Sequence, residues 1–428
     1  MTVALTQQLT YRLGHPLGHQ PTPLRLPAAY GTCPFTPPPA YAEAARGGPV
    51  TRAVLPDGSP CWLITGYREV RSVLADARFS ADARTPGFPF LSSAQRQLAT
   101  ERPSFIRLDD PEHARLRRMV TKDFLVRRVE ELRPGIQRIV DEAIDALGTP
   151  NKNGRQVQPG QPAGLVRDFV TDFALPVPSL VICLMLGVPY EDHDVFQRLS
   201  RTLLDNTATE AEVAGAHRGL TGYLAGLAER KAREPGDDIL SRLAARDDLT
   251  PEQVASLGFM LLVTGHESTA NMSALCVLAL LRNPTLAKRL RDDPGLMPAA
   301  VEELLRHLTI IHLGLARAAK EEAEVGGVTI AAGDGVICML STANRDEEAF
   351  GNTAARLDPA RPDARRHLAF GFGVHQCLGQ TLARVELQII LTTLLRRLPN
   401  LRLAVPEPAL TYTTQNIVYG VRSLPVTW

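Results

Sequence analysis

The stretch FGFGVHQCLGQ, residues 370–380, sets three glycines (Gly371, Gly373, Gly379), two phenylalanines and a histidine around one cysteine, Cys377. Glycine loses the most backbone freedom on folding, so three within ten residues imply a backbone that something must approach closely. The run LGQTLARVELQIILTTLLRRL that follows reads as one amphipathic helix and puts Cys377 at its N-terminus. There the dipole and free N–H groups lower a thiol's pKa and favour the thiolate. The glycines allow a flat ligand to lie against the chain, and the amides can hydrogen-bond the sulfur. A Cys-Leu-Gly alone would be an ordinary turn around a buried cysteine; the aromatic, histidine and helix context sets this one apart.

Two further segments carry groups able to move protons or hold charge. LLVTGHESTAN, residues 261–271, places Thr264, Gly265, Glu267, Ser268 and Thr269 inside a helix that is apolar on both sides. Gly265 costs roughly 1 kcal/mol in a helix interior, so something gains from its missing side chain. The hydroxyls and the carboxylate could pass protons to a ligand through a local opening of that helix. A helix with small packing residues and satisfied polar groups explains the same pattern. In VEELLRHL, Glu303 and Arg306 stand at i, i+3 on one face, a spacing that is common on surfaces and worth little there.

Helical periodicity must position these groups, and it dominates from Asp110 to about Arg396. The longest run, Thr250 to Arg282, opens with Thr250 as N-cap, Pro251 in the first turn and Glu252-Gln253 behind it. At 1.5 Å per residue it extends roughly 50 Å, enough to cross the molecule. PEHARLRRMVTKDFL starts a helix with Pro111 at its first position, and longer helical segments break at Pro134 and at Pro176 and Pro178. Residues 1–48 read as an extended, proline-rich arm. TRAVLPDGSPCWLIT (51–65) reads as a β-hairpin about Asp57-Gly58, and further strands are expected at 325–340 and 414–428. The fold class is mainly α with a small β-rich region, residues 49–428 forming one catalytic domain.

The net charge of +1 speaks against bulk affinity for nucleic acid or an anionic membrane. Six cysteines without CxxC spacing, several in apolar runs, point to free thiols in a reducing compartment. The polar N-terminus has neither the pattern of a signal peptide nor that of a membrane anchor, so a cytoplasmic protein is expected.

The order and spacing of these segments resemble the cytochrome P450 family of haem-thiolate monooxygenases, from about Thr51 to the C-terminus. Phe370, Gly373, Cys377 and Gly379 match its haem-binding signature, continued by Ala383, Arg384 and Glu386. Thr264, Gly265, His266, Glu267 and Ser268 match the oxygen-activating helix motif; Glu303 and Arg306 match the structural Glu-x-x-Arg pair, with Arg361 as third partner. ANRDEEAF at 343–350 is similar to a segment of soluble bacterial members. The resemblance implies a long central helix over haem b and Cys377 as the iron ligand, a thiolate that pushes electron density onto the metal. It also implies that His113, Arg117, Arg317 and His375 bind the haem propionates. Two positions depart from the pattern: Thr264 stands where alanine or glycine is usual, and Ser268 where threonine is usual.

The function implied is oxidation, by hydroxylation or a related reaction with O2, of a small organic substrate, a secondary metabolite of natural-product biosynthesis. Electrons would come from a separate ferredoxin or similar carrier with its NAD(P)H reductase. Arg115, Arg118, Lys122, Arg365 and Arg366 could form its docking patch on a monomeric enzyme. Two alternatives stay open: oxidative coupling or ring formation without oxygen insertion, on an aromatic or cyclic-dipeptide substrate, and a non-catalytic haem-thiolate sensor. Expected pocket walls are 81–103, 195–215, the Leu262-to-Thr269 face, Ile310 to Leu315 and the turn near Thr414 to Val418, with Gln415 and Asn416 as polar contacts.

Overall fold

The computed structural model describes residues 24–91, 96, 105–148, 166–192, 195–196, 198–199, 202, 209–414 and 416–428. Its framework is a stack of helices around α7 (Pro251–Leu281), with a six-stranded sheet to one side. The other helices used below are α1 (Pro39–Gly47), α2 (Tyr67–Ala75), α3 (Glu112–Thr121), α4 (Val126–Gly148), α5 (Pro176–Leu186), α6 (Glu210–Arg233), α8 (Met297–Leu308) and α9 (Gln380–Arg397).

Helix α7 starts where its cap predicts. The Thr250 hydroxyl accepts from the Gln253 amide at 3.3 Å, the Thr250 amide donates to Gln253 Oε1 at 2.9 Å, and Pro251 fills the first turn. Its 31 residues rise about 46 Å. From Val254 to Leu280 most side chains are buried, because α4, α5, α6, α8 and α9 contribute to the core around it.

The six-stranded sheet runs in the order β1 (Leu24–Arg25), β2 (Val50–Val54), β3 (Pro60–Ile64), β9 (Gly335–Cys338), β6 (Leu315–Ala319), β4 (Phe79–Ser80). The expected hairpin is β2–β3, antiparallel with Val50 opposite Ile64, its turn closed by Asp57 Oδ1 accepting from the Ser59 amide at 3.0 Å. Parallel pairing of β3 with β9 and antiparallel pairing of β9 with β6 carries Arg317 into the sheet.

Four local expectations differ. The segment 24–48 is not an extended arm: Leu24–Arg25 pairs with β2, and α1 buries Tyr41 beside Leu26. Helix α4 runs through Pro134 without a break. Burial of Val129, Ile136, Val140, Ile144 and Leu147 holds it, offsetting the roughly 3 kcal/mol an interior proline costs. Pro176 opens α5 at a first-turn position, after a π-turn at Val170–Ala174, so it starts a helix and does not interrupt one. Of the strand expected at 414–428, Pro425–Thr427 is strand; the turn before it is held by isolated bridges from Ile311 to Val418 and Tyr412 to Val421.

Candidate active site

The cysteine loop is a short 3-10 turn, Gly373–His375, followed by α9 at Gln380. Gly371 and Gly373 have φ of +69° and +74°, a region that favours glycine. A Cβ on Gly373 would stand 2.3 Å from the Leu74 carbonyl oxygen, so this glycine makes room for the end of α2 and not for a ligand. Around Gly379 a Cβ would meet nothing within 4 Å, so one side of the loop faces open space. The Cys377 amide donates to the Phe370 carbonyl at 2.8 Å, and Arg117 Nη2 donates to the Gln376 carbonyl at 2.6 Å.

Cys377 is exposed by surface area, the other cysteines being buried or half-buried. Yet protein atoms surround it deeply enough for burial to push its thiol above the ordinary value, opposed by the Gly379 amide, Arg117 and Arg384. The two facts agree if the sulfur lines an internal cleft. The balance also differs from the expected lowering at a helix N-terminus: desolvation outweighs the amide and the cations. A bound metal ion reverses that balance by deprotonating a coordinating thiol.

Beside the sulfur gathers a set of cationic groups with few anions. His113, from α3, is buried; its Nδ1 pairs with Asp110 Oδ1 at 2.9 Å, and its Nε2 has no partner among the described residues. The His375 ring lies 4.0 Å from it. Arg317 is 6% exposed and, among the described residues, donates only to the adjacent Ala316 carbonyl, at 2.8 Å. Burial lowers its pKa, and burial with the charge of Arg317 lowers that of Arg107. None of Arg107, Arg117 and Arg317 forms an ion pair among the described residues, while the nearby Asp109 carboxylate is held by Ser80, Ala81 and Lys320. A buried array of this kind calls for an anionic ligand, since unpaired buried charge is costly. Arg107 was not anticipated; its signal was an arginine six residues ahead of His113 in FIRLDDPEH.

On α7, Thr264 is an exposed residue in the middle of a buried helix. The helix shows no local opening. Thr264 Oγ1 donates to the Met260 carbonyl and Ser268 Oγ to the Thr264 carbonyl, both at 2.8 Å. Gly265 lacks a Cβ for the sake of α5: a Cβ would lie 2.8 Å from Ile182 Cδ1. His266 Nε2 meets the Leu175 carbonyl at 2.8 Å and ties α7 to the turn before α5. Glu267 is hydrogen-bonded to the Asn416 side chain, and burial raises its carboxyl pKa against that bond. Thr269 is buried.

Glu303, Arg306 and Arg361 come together in the core and not on a surface. Arg306 donates Nε and Nη2 to the two Glu303 oxygens at 2.7 and 2.8 Å, and Arg361 Nε reaches Glu303 Oε1 at 3.3 Å. The remaining guanidinium protons go to carbonyls of Asn344, Ala354, Arg356, Phe350 and Thr353. The triad therefore ties α8 to the loop at 344–361. A second buried cluster, Glu302 with His367 and Arg384, escaped the sequence, where only Arg384 stood out. Of the pocket walls, 92–95, 97–103, 197, 200–201, 203–208 and Gln415 lie outside the described residues.

The donor set fits haem: a thiol facing a cleft, an unpartnered imidazole nitrogen, and guanidinium groups awaiting two carboxylates. Comparison with known proteins agrees. The family model for Cytochrome P450 matches residues 295–408. The chain is 55% identical over 409 residues to Cytochrome P450-SU2 of Streptomyces griseolus, covering 95% of this chain and 98% of that protein. It is 45% identical to pentalenic acid synthase of Streptomyces avermitilis, over 93% and 96% of the two chains. The crystal structure of GfsF superposes with a TM-score of 0.88 at 44% identity, covering 95% of this chain and all of that one. That of MoxA from Nonomuraea recticatena gives 0.88 at 44%, over 95% and 98%. The fold, the thiol at the cleft and these relatives converge: the chain belongs to the cytochrome P450 family, oxidoreductases that bind haem b and use O2.

Proposed function

We propose that this enzyme hydroxylates, or otherwise inserts oxygen into, a small secondary metabolite, with Cys377 as its iron ligand. The observation that carries the reading is the exposed Cys377 thiol beside arginines that form no ion pair among the described residues. Names among the relatives favour it: one is pentalenic acid synthase, and a solved structure at 39% identity is a mycinamicin VIII C21 methyl hydroxylase bound to mycinamicin VIII. Haem b, when bound, supplies oxygen activation with electrons taken up singly.

The protein's own groups divide the remaining work. His113, Arg117, Arg317, His375 and Arg107 bind the propionates by charge-assisted hydrogen bonds. Phe370, Gly373 and Gly379 shape the proximal loop, Gly373 through its φ and its contact with α2. Ser268 and Glu267 carry protons toward the oxygen site, the hydroxyl being released from the Thr264 carbonyl and the carboxyl from Asn416. Thr264 and Gly265 border that site, with Thr264 narrowing it. Glu303, Arg306 and Arg361 hold the scaffold. Residues 49–428 act as one catalytic unit, with residues 24–48 packed on it.

Arg115, Arg118, Lys122, Arg365 and Arg366 are all exposed, as is Val374 on the cysteine loop. We assign them to docking of an acidic ferredoxin, which steers through charge and seats on the apolar spot. Among the described residues no helix is long and apolar enough to cross a membrane. Our placement is a cytoplasmic monomer.

Reconstitution with a ferredoxin, its reductase and NAD(P)H in labelled O2 tests the reaction. One labelled oxygen per product is expected. An unlabelled product that has lost two hydrogens would replace hydroxylation by coupling, and tight ligand binding with no product would replace it by sensing.

A further inference from the structure

Glu302, on α8, is a buried carboxylate that grips two side chains at once. Its Oε1 accepts from Arg384 Nε at 2.7 Å and its Oε2 from Arg384 Nη2 at 3.2 Å, a forked pair. The same Oε2 meets His367 Nε2 at 3.2 Å, while His367 Nδ1 accepts from the Ala369 amide at 3.2 Å, which leaves Nε2 as the donor to the carboxylate. Side-chain exposures of 4% for Glu302 and 1% for His367 show that this is no surface network. Hydrogen bonds from His367 and Arg384 outweigh burial and take the Glu302 carboxyl down to about 2, so it stays ionised.

The two gripped side chains flank a single ring. The Arg384 guanidinium carbon stands 4.6 Å from the Phe370 centroid, and the His367 ring lies 5.6 Å from it at 49°. Phe370 in turn holds the cysteine: its carbonyl accepts the Cys377 amide at 2.8 Å. Arg384 also continues inward, donating Nη1 to Gln380 Oε1 at 3.1 Å in the first turn of α9. The chain of contacts therefore runs from one carboxylate on α8, through a cation and an imidazole, to an aromatic ring and to the backbone of Cys377.

We propose that Glu302 is a positioning residue for Cys377: with His367 and Arg384 it clamps Phe370 and so holds the cysteine loop in the geometry that keeps its thiolate on the iron. Arg384 contributes twice, by stacking on the ring and by placing a positive charge toward the sulfur. Partners of this second layer commonly matter to metal retention by about 10–100-fold, without touching the metal. The clamp is separate from the Glu303 triad one residue along α8, where Glu303 accepts from Arg306, Arg361 and the Asp358 amide.

The inference rests on the reading of Cys377 as the iron ligand, and the test separates the two. Holoenzyme variants Glu302→Gln, Arg384→Lys and the double variant Glu302→Leu/Arg384→Met are reduced under CO and followed by the thiolate-type Soret band. The readout is the rate at which that band gives way to the non-thiolate form in mild denaturant. Global unfolding is followed in parallel by circular dichroism. Asp238→Asn, which breaks the buried Lys231–Asp238 pair at 2.6 Å, is the control for lost stability alone. The clamp predicts band loss about 10–100-fold faster in Glu302→Gln, ahead of unfolding and beyond the control, and no recovery in the double variant when its stability returns. Arg384→Lys, a milder change at a partly exposed side chain, keeps the charge but loses the fork, and is expected to shift the rate in the same direction. Band loss that tracks global stability equally in every variant would overturn the clamp. Absence of the thiolate-type band in the unsubstituted enzyme would overturn instead the assignment of Cys377.

Discussion

The imidazole of His375 lies 4.0 Å from that of His113, tilted by 34°, and the charge of Arg317 acts on His375. Burial, and then the charges of Arg317 and His113, take His375 down to about 3. Two imidazoles and a guanidinium crowd together only where anions are to arrive between them. On that account His113→Ala and Arg317→Ala should each speed haem transfer to excess apomyoglobin by about tenfold or more, the worth of one charge-assisted bond. A transfer rate unchanged in both would remove the propionate role.

Arg107 belongs to the same prediction with a distinct control. Its guanidinium sits 5.3 Å from the Phe88 ring and has no carboxylate partner among the described residues. Arg107→Gln should speed haem transfer in the same assay but leave the melting temperature of the haem-free protein unchanged or raised, because it removes an uncompensated buried cation. A fall in that melting temperature would show a structural partner instead.

The cysteine-loop glycines should separate cleanly. Gly373→Ala forces a positive φ on a side chain and drives its Cβ to 2.3 Å from the Leu74 carbonyl, so at least about 1–3 kcal/mol of stability should be lost. Gly379, at φ −80° with open space around it, should accept alanine with little change in the haem-free protein. Chemical denaturation of both apoproteins measures the contrast.

Gly265→Ala makes the opposite point on the distal helix. Alanine gains about 1 kcal/mol over glycine in a helix interior, and the atom it meets is the flexible tip of Ile182. The single variant should be near neutral, and Gly265→Ala/Ile182→Val should recover most of the helix gain. A loss of several kcal/mol in the double variant would mean that the backbone there must remain bare.

Glu386 offers a pH test. It is wholly buried on α9, its Oε2 has no partner among the described residues, and burial raises its pKa well above the ordinary 4.5. The folded state therefore prefers the protonated acid. Its contribution is complete below the unfolded value and is lost as pH rises toward the folded one. Glu386→Gln should leave stability unchanged below about pH 4 and raise it increasingly toward neutrality. A gain that is constant with pH would assign the effect to packing.

Much of this site was readable before folding because its signals are local. The Thr250–Gln253 capping box, the Asp57-Gly58 turn and the Cys377 loop each lie within a few residues. What the sequence concealed depends on partners far along the chain. Gly265 answers to Ile182, Gly373 to Leu74, and Glu302 to His367 and Arg384, none of which periodicity can pair. Pro134 inside α4 shows the same rule in reverse, a strong local signal overridden by a buried face. The hydroxyls of Thr264 and Ser268, which the sequence offers for passing protons, both bond carbonyls four residues back.

The central claim is that Cys377 binds haem iron as a thiolate. The reduced, CO-treated protein tests it directly. The account predicts a thiolate-type, long-wavelength Soret band that Cys377→Ser abolishes. A band of the non-thiolate type in the freshly prepared unsubstituted enzyme, or a thiolate-type band that survives Cys377→Ser, would contradict it.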